Sequence, residues 1–327
     1  MQIKRLVIEN FKSIERIELI EPNPFTVFVG PNGSGKSNIF EALEFVNSLE
    51  AINIANAVRL FGGASRIANR NIGKEKDFVY GVGSDKYQGI AYHEMRLSYW
   101  KDPLVPDFKV WRDEENLDVR WHPNNIRFSS FSRLFVNSAK AIKLNFQDDS
   151  LLNFSANNLE PVLKRVLSST LLREEIFEWL DLFVPGFKAV EVDDRDELHW
   201  FEEGSDRYFT KDIISDGTYS ILALLTAIYQ SDEPQFLCIE EPENGLHPQV
   251  QMTLVEFFRK VCQEKGHYIW LNTHSEAIVR KLTTDEIVLV DKVDGITKTK
   301  QTKGRNIYDL PTDEAWLTGM LGGGLPW

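Results

Sequence analysis

The chain has 327 residues, of which 43% are apolar and 26% are charged, and this composition excludes a disordered protein and an integral membrane protein. Its formal net charge of −12 excludes a surface that binds nucleic acid over its whole area, because such binding needs many Lys and Arg contacts to phosphate. The opening residues enter a strand pattern without a signal peptide, and Cys238 and Cys262 lie in apolar segments, so we expect a cytoplasmic protein with reduced, buried cysteines.

The first part of the chain predicts two strands and then a phosphate-binding loop. Alternating apolar runs over residues 3–11 and 14–20 indicate antiparallel strands with a turn near Lys12. A third apolar run leads into residues 30–37, GPNGSGKS, and a helical pattern follows over residues 38–49. Strand, loop and helix in this order are the context that the P-loop pattern G-x-x-x-x-G-K-S requires.

A P-loop predicts a nucleotide site that uses Mg²⁺. Its glycines let backbone N–H groups converge on the phosphates, and the helix N-terminus adds partial positive charge. Lys36 is expected to neutralise the β- and γ-phosphates, and the Ser37 hydroxyl to ligate Mg²⁺. The residues expected to bind the nucleotide are Gly30, Asn32, Gly33, Ser34, Gly35, Lys36, Ser37 and Asn38.

The middle of the chain predicts a loop, a β-rich insertion and a helical pair. Residues 61–73 are rich in Gly and Asn and indicate a loop. The insertion covers residues 78–150, with strands expected at 78–80, 89–100, 108–111, 117–121 and 141–146. Apolar residues at helical spacing over 159–183 predict two helices, and two short strands follow at 187–192 and 198–201.

The last third of the chain predicts an α/β alternation, which implies a parallel core sheet. The expected elements are a helix at 219–229, a strand at 235–239, a helix at 249–265 and a strand at 268–272. Residues 315–321 indicate a terminal helix that either packs on its own domain or docks on a partner with Trp327 as an anchor.

Two basic stretches offer local phosphate contacts, and solvated loops and edge strands are the alternative for both. The first contains Arg59, Arg66, Arg70, Lys74 and Lys76. The second contains Lys292, Lys298, Lys300, Lys303 and Arg305.

A nucleotide hydrolase also needs carboxylates facing the P-loop, and the strand at 235–239 ends in Glu240 and Glu241. Successive strand residues point to opposite faces, so Glu240 is expected on the Mg²⁺ shell and Glu241 as the general base for the attacking water. His274 directly follows the next strand, where it can contact the γ-phosphate or hold the water. Two solvated glutamates and a structural histidine are the alternative.

Together these residues resemble the ABC-type ATPase heads of the SMC, RecF and OLD group, and in particular standalone OLD-like AAA ATPases. The resemblance is carried by the opening segment 8–13, Walker A at 30–37, a signature-like segment at 214–218, Walker B at 237–241, a D-loop at 244–247 and the switch residue His274. It implies an α/β fold: an ABC-type P-loop head with a mixed or parallel core sheet, an antiparallel β subdomain and a small helical lobe. The head covers 1–327, with the insertion at 78–150, the lobe with the signature at 157–232, and Walker B, switch and tail at 233–327.

The resemblance also implies a head-to-tail homodimer that sandwiches two ATP molecules. Ser215, Asp216 and Gly217 of one copy would then cap the nucleotide held by Walker A of the other, and hydrolysis by a monomer would be slow. Nucleotide contacts would extend to Lys12 and Ser13 of the opening segment.

Three positions depart from the family pattern. Asp216 stands where transporters have Gly, and it places a carboxylate close to an anion. Glu240 replaces the usual Asp and reaches further toward the metal. Gln88 is the single candidate for the Q-loop glutamine that would contact Mg²⁺.

Residues 38–214 lack sustained heptads, so we expect no SMC coiled-coil arm, and we also expect no Toprim nuclease after His274. We therefore expect the sensor or switch subunit of a bacterial anti-phage defence system, with a separate nuclease or toxin as effector and no membrane partner. One alternative is a RecF-like repair clamp whose dimer binds DNA. Another is a regulatory ATP-binding module with negligible turnover, which Asp216 makes plausible.

Overall fold

The computed structural model describes residues 2–71, 76–84, 91–99, 101, 104, 106–112, 115–116, 131–136 and 150–325. Its strands are β1 (Ile3–Phe11), β2 (Ile14–Ile20), β3 (Phe25–Val29), β4 (Phe78–Ser84), β5 (Ala91–Leu97), β6 (Pro106–Arg112), β7 (Glu115–Asn116), β8 (Phe131–Leu134), β9 (Phe187–Val192), β10 (Leu198–Glu202), β11 (Phe236–Glu240), β12 (Tyr268–Thr273), β13 (Ile287–Val293) and β14 (Ile296–Gln301). Its helices are α1 (Lys36–Ala51), α2 (Ile54–Leu60), α3 (Ala64–Ile67), α4 (Leu159–Leu167), α5 (Thr170–Phe183), α6 (Asp216–Tyr229), α7 (Pro248–Lys265), α8 (Glu276–Arg280) and α9 (Thr312–Leu317). Within these ranges, no helix combines the length and apolarity needed to span a membrane.

One mixed sheet contains twelve of the described strands, in the order β7-β6-β5-β4-β1-β2-β14-β13-β3-β12-β11-β8. The half from β7 to β2 is antiparallel, and β13, β3, β12, β11 and β8 are parallel neighbours. Because parallel strands end at the same edge, the segments that follow β3, β11 and β12 meet there. These segments are the P-loop, the acidic Walker B end and the switch histidine, so the predicted parallel core is confirmed.

The sheet separates two hydrophobic cores, and β3 supplies side chains to both. Phe25, Val27 and Val29 pack into the core shared with α4 to α8, whereas Phe28 packs into the core shared with α1 and the antiparallel strands. This alternation is what a strand buried on both faces requires. The P-loop is therefore anchored at the end of a strand with no solvent-exposed face.

Most predicted elements are confirmed, with small shifts at their ends. The two opening strands pair antiparallel, and α1, α4, α5, α6 and α7 occupy the predicted helical segments. The strands expected at 117–121 and 141–146 lie outside the described residues. Cys238 and Cys262 are free and buried, as expected.

One local feature differs from the sequence-based expectation, and two others decide between alternatives that the sequence left open. The expected loop at 61–73 contains the short helix α3. The C-terminal basic stretch is not an edge strand, because β14 lies between β2 and β13. Helix α9 packs on its own domain through the buried Ala315 and Trp316, and the Trp316 indole donates a 2.6 Å hydrogen bond to the Gly324 carbonyl. Trp327 lies outside the described residues.

An aromatic cluster joins α1 to the antiparallel half of the sheet and generates a stability prediction. The buried Phe45 ring lies 5.8, 5.2 and 5.4 Å from the ring centroids of Phe11, Phe61 and Phe78. We expect Phe45→Ala to lower the free energy of unfolding by about 3–5 kcal/mol, through lost burial and a residual cavity. Urea denaturation measures this, with the exposed Leu171→Ala as a control that should change stability by less than about 0.5 kcal/mol. Equal effects of the two substitutions would contradict the packing described here.

Candidate nucleotide site

The P-loop connects β3 to α1, and its backbone depends on glycine. Gly33 and Gly35 have φ values of 79° and 105°, a region that L side chains rarely adopt. A Cβ on Gly30 would lie 2.1 Å from the Val290 carbonyl oxygen, and one on Gly35 would lie 2.0 Å from the Thr297 hydroxyl. The loop therefore closes against its neighbours in a way that only glycine permits.

Lys36 is folded into the loop that it follows. It is only 6% exposed, and its Nζ donates to the carbonyl oxygens of Gly30 at 2.6 Å and Pro31 at 3.0 Å. Burial lowers the pKa of Lys36, while the nearby glutamates oppose this shift. Phosphate oxygens can take the place of the two carbonyl acceptors without moving the backbone, so the site fits a nucleotide phosphate.

The hydroxyl groups of Thr297 and Ser13 form hydrogen bonds next to the P-loop. Thr297 of β14 donates to the Ser34 carbonyl at 2.8 Å and pairs with the Ser13 hydroxyl at 2.6 Å. Asn38 of α1 also donates to the Ser13 hydroxyl, at 2.6 Å. Ser13 and Asn38, both predicted to bind nucleotide, are thus part of the wall on which the P-loop rests, and Lys12 beside them forms an ion pair with Glu41.

Ser37 and Glu240 meet as predicted for a Mg²⁺ site. The Ser37 hydroxyl donates a 2.7 Å hydrogen bond to Oε2 of Glu240, which is 4% exposed, and the Asn272 amide lies 3.4 Å from Ser37 Oγ. The other oxygen of Glu240 accepts hydrogen bonds from Arg133 of β8. A serine that donates to a carboxylate keeps a lone pair for a cation, so this donor set fits Mg²⁺.

Glu241, the expected general base, has an unusual backbone conformation. Its φ of 45° lies in the left-handed region, and its N–H donates to the backbone and side-chain oxygens of Asn272 at 3.0 and 3.1 Å. Its carboxylate accepts a 3.1 Å hydrogen bond from Asn244 of the D-loop. The strained turn moves this carboxylate out of the buried strand and places it within the field of Lys36.

Glu243 is a third acidic residue of the site, and motif reasoning did not single it out. It is 7% exposed, and its Oε1 accepts from the Thr273 hydroxyl at 2.5 Å and from the His274 N–H at 3.2 Å. The His274 ring nitrogen Nδ1 lies 3.9 Å from the same oxygen, while Oε2 is buried with no partner among the described residues. Glu243 therefore fixes the backbone of the switch histidine.

The D-loop and the switch are also joined through α7. The Gln251 amide donates to the Leu246 carbonyl at 2.8 Å, and its Oε1 accepts from the Ser275 hydroxyl at 2.5 Å. Gln251 therefore links the D-loop directly to the segment that follows His274.

The signature segment lies at the N-terminus of α6. Ser215 caps this helix by accepting a 3.0 Å hydrogen bond from the Thr218 N–H, and Gly217 is buried so close to Gly245 that a Cβ would lie 2.6 Å from the Gly245 carbonyl. Ser215 and Asp216 are exposed, and within the described part of the chain no hydrogen bond joins them to the P-loop. The structure therefore does not bring the signature and Walker A together within one chain.

The exposed Asn32 and Gly33 lie at the open side of the P-loop. Gln88, the proposed Q-loop residue, lies outside the described residues.

A cavity of about 500 Å³ is lined by Ser13, whose hydroxyl lies close to Gly35 of the P-loop. It combines Arg66 and Arg70 from the first basic stretch with Lys292 from the second, and Asn69 lines its wall. Asn69 is 2% exposed, and its Nδ2 has no partner in the described residues; the three cations are exposed and form no ion pair there. The cavity thus offers unpaired positive charge on the side of Ser13.

The buried carboxylate of Glu243 generates a pH prediction. Burial raises the pKa of Glu243 above its ordinary value of 4.5, so the stability that this group contributes is complete below that pH and is lost as pH rises toward the folded-state pKa. Glu243→Gln removes this loss. We therefore expect the free energy of unfolding of the variant, relative to wild type, to increase between about pH 4 and pH 7 in nucleotide-free urea titrations.

The exposed Glu233→Gln serves as the control for this measurement and should show a constant difference from wild type. A constant difference for Glu243→Gln as well would contradict a buried carboxylate at this position.

The sequence profile of one protein family, described as “AAA domain, putative AbiEii toxin, Type IV TA system”, matches residues 25–280. Among similar proteins, the chromosome partition protein Smc of Methanocaldococcus jannaschii is 38% identical over 77 residues, 24% of this chain and 6% of that protein. The DNA replication and repair protein RecF of Klebsiella pneumoniae is 30% identical over 89 residues, 26% of this chain and 25% of that protein. The chain thus spans only a small part of these relatives.

Among solved structures, an Smc head bound to the C-winged helix domain of ScpA superposes with a TM-score of 0.61. The superposition covers 92% of this chain and 97% of that chain at 15% sequence identity. The likeness shows that the fold is that of an SMC head.

Proposed function

The chain belongs to the family described as “AAA domain, putative AbiEii toxin, Type IV TA system”, and from this premise we propose that two copies close around ATP to hydrolyse it. The chain is an ATPase of the SMC, RecF and ABC type. The reaction converts ATP and water to ADP and phosphate. The observation that carries the proposal is the separation, within one chain, of a P-loop half-site from an exposed signature half-site.

The P-loop half-site supplies the chemistry. Lys36 and the loop amides bind the phosphates, and Ser37 and Glu240 would hold Mg²⁺, which neutralises phosphate charge when bound. Glu241 accepts the proton of the attacking water, because its carboxylate lies at the open end of the strand beside Lys36. His274, held by Glu243, positions the water or the γ-phosphate.

The signature half-site supplies an anion-binding helix end. α6 has 14 residues, so the N–H groups of its first turn carry partial positive charge toward solvent. A γ-phosphate bound to a second copy can accept hydrogen bonds there. Asp216 is exposed in the same turn, and its carboxylate must turn away from the phosphate in the closed dimer.

The basic cavity is proposed to bind the rest of the nucleotide beside the P-loop. Its volume of about 500 Å³ is in the range of small-ligand sites, and its cations are donors for ribose and phosphate oxygens. Arg66→Ala combined with Arg70→Ala should weaken ADP binding by about tenfold or more, the effect expected for one charge-assisted hydrogen bond.

Isothermal titration calorimetry measures this loss, and Arg59→Ala is the matched control. Arg59 belongs to the same basic stretch and is exposed, but it does not line the cavity. If Arg59→Ala loses as much ADP affinity as the double variant, the loss comes from a general change of surface charge and not from the cavity.

Dimerisation gives the main test of the proposed function. Glu241→Gln should bind ATP without hydrolysing it, so we expect light scattering to show a dimer in Mg·ATP and a monomer without nucleotide. Lys36→Ala, which removes the buried phosphate cation, should stay monomeric in both conditions. A Glu241→Gln protein that binds ATP and remains monomeric would contradict the sandwich.

Complementation separates a shared site from two independent sites. Lys36→Ala and Ser215→Arg should each lose turnover, because one lacks Walker A and the other blocks the signature. Mixed together, they form heterodimers with one intact composite site, and phosphate release should recover in part. No recovery at any mixing ratio, with both variants folded, would exclude catalysis in trans.

We further propose that the ATP-bound dimer is the switch subunit of a bacterial defence system with a separate effector. The family description refers to a toxin–antitoxin system, and the superposed Smc head is one bound to a second polypeptide, ScpA. The test is co-purification of the product of an adjacent nuclease or toxin gene with the Glu241→Gln dimer.

A RecF-like DNA clamp is the second candidate, favoured by the 30% identity to RecF over 89 residues. Retention of duplex DNA by the Glu241→Gln dimer alone would move this candidate ahead. Tight ATP binding without turnover in the wild-type protein would instead support a regulatory ATP-binding module.

A further inference from the structure

A buried arginine lies next to the proposed Mg²⁺ site. Arg133 is on β8, whose backbone pairs in parallel with β11, and its side chain is 10% exposed. Its Nε donates to Oε1 of Glu240 at 2.6 Å, and one terminal nitrogen donates to the same oxygen. The other terminal nitrogen donates to Oε2 of Glu44 on α1 at 2.6 Å.

The contacts fix the guanidinium in three directions. Glu44 holds one end, Glu240 holds the other, and the ring of Phe154 lies under the guanidinium with 4.9 Å from Cζ to the ring centroid. Two buried carboxylates next to each other would repel, and the cation between them offsets this repulsion. Arg133 is therefore held in one orientation by partners on three different segments.

The orientation of Arg133 determines which carboxylate oxygen of Glu240 faces Ser37. Arg133 binds Oε1 of Glu240, so Oε2 is the oxygen that accepts from Ser37. A glutamate has one more rotatable bond than an aspartate, and a free carboxylate at this position would sample several orientations. With Oε1 held by Arg133, Oε2 is fixed toward the Ser37 hydroxyl, which donates to it and keeps a lone pair for the metal.

We infer that Arg133 is a positioning residue of the Mg²⁺ site: it holds the Glu240 carboxylate so that Ser37 presents its oxygen to the cation. This inference rests on the proposed ATPase function. Groups that orient metal ligands typically change metal affinity by about 10–100-fold when they are lost.

The alternative role of Arg133 is purely structural, the attachment of the outer strand β8 to α1. The two roles separate in Arg133→Lys, which keeps the charge and most of the length but cannot contact Glu240 and Glu44 at once. Loss of attachment lowers stability alone. Loss of positioning also changes how much Mg²⁺ the protein needs.

The experiment measures binding of a fluorescent ATP analogue, mant-ATP, first in EDTA and then during a Mg²⁺ titration, with the nucleotide-free melting temperature recorded for each variant. We expect Arg133→Lys to leave mant-ATP affinity in EDTA within about twofold of wild type and to raise the Mg²⁺ concentration for half-maximal tight binding by about tenfold or more. Glu44→Gln removes only the far anchor and should shift the titration in the same direction by less.

Arg259→Lys is the matched control. Arg259 forms a two-point ion pair with the buried Glu286, at 2.6 and 2.9 Å, on a part of the fold that does not contact the P-loop lysine or serine. This variant should lose stability and keep the wild-type Mg²⁺ dependence.

A Mg²⁺ requirement that is unchanged or lower in Arg133→Lys, when wild type shows normal Mg·ATP binding, would overturn the positioning role. If Arg133→Lys does not fold, Glu44→Gln decides the question by the same criterion. Failure of the wild-type protein to bind mant-ATP would instead refute the proposed function itself.

Discussion

The hydrogen bond from Ser37 to Glu240 joins two segments that are 203 residues apart, and the rest of the site depends on the geometry that makes it possible. It forms because β3 and β11 both run parallel to β12 and end at the same edge of the sheet. The P-loop can then close over that edge only where glycines allow close backbone contact with β13 and β14. The Ser37–Glu240 hydrogen bond therefore requires both the register of the sheet and the spacing of the P-loop glycines.

The same edge concentrates buried charge, which has to be balanced. Lys36 is surrounded by the fields of Glu240, Glu241 and Glu243, and burial disfavours its charged form. Its Nζ donates hydrogen bonds to two carbonyl oxygens of the loop. Arg133 pairs with Glu240, so the charge of this carboxylate is balanced without a hydrogen bond to Lys36.

Local sequence patterns predicted the P-loop, the acidic strand end and the switch histidine because each is a short motif in a fixed strand or helix context. They did not predict Glu243, Arg133 or Asn69, whose roles depend on contacts with distant segments. An additional carboxylate two residues after Glu241, and an arginine between Ser132 and Leu134 of a short strand, were the signals in the sequence for Glu243 and Arg133. Strands β4 to β8 lie within the segment predicted to be β-rich, but the position of β8 next to β11 was not predictable, because periodicity carries no information on which strands pair.

The sequence by itself predicted the chemistry proposed for the chain: a loop for phosphate, carboxylates for metal and water, and a helix N-terminus that carries the signature. These follow from residue types at short spacing, since backbone turns and helix ends are local structures. Only the tertiary structure decided which residues share the site. Residues from both basic stretches line one cavity, and Ser13 packs against the P-loop. The signature segment is exposed to solvent. None of these positions follows from local sequence, because strand order and packing are set by contacts over the whole chain.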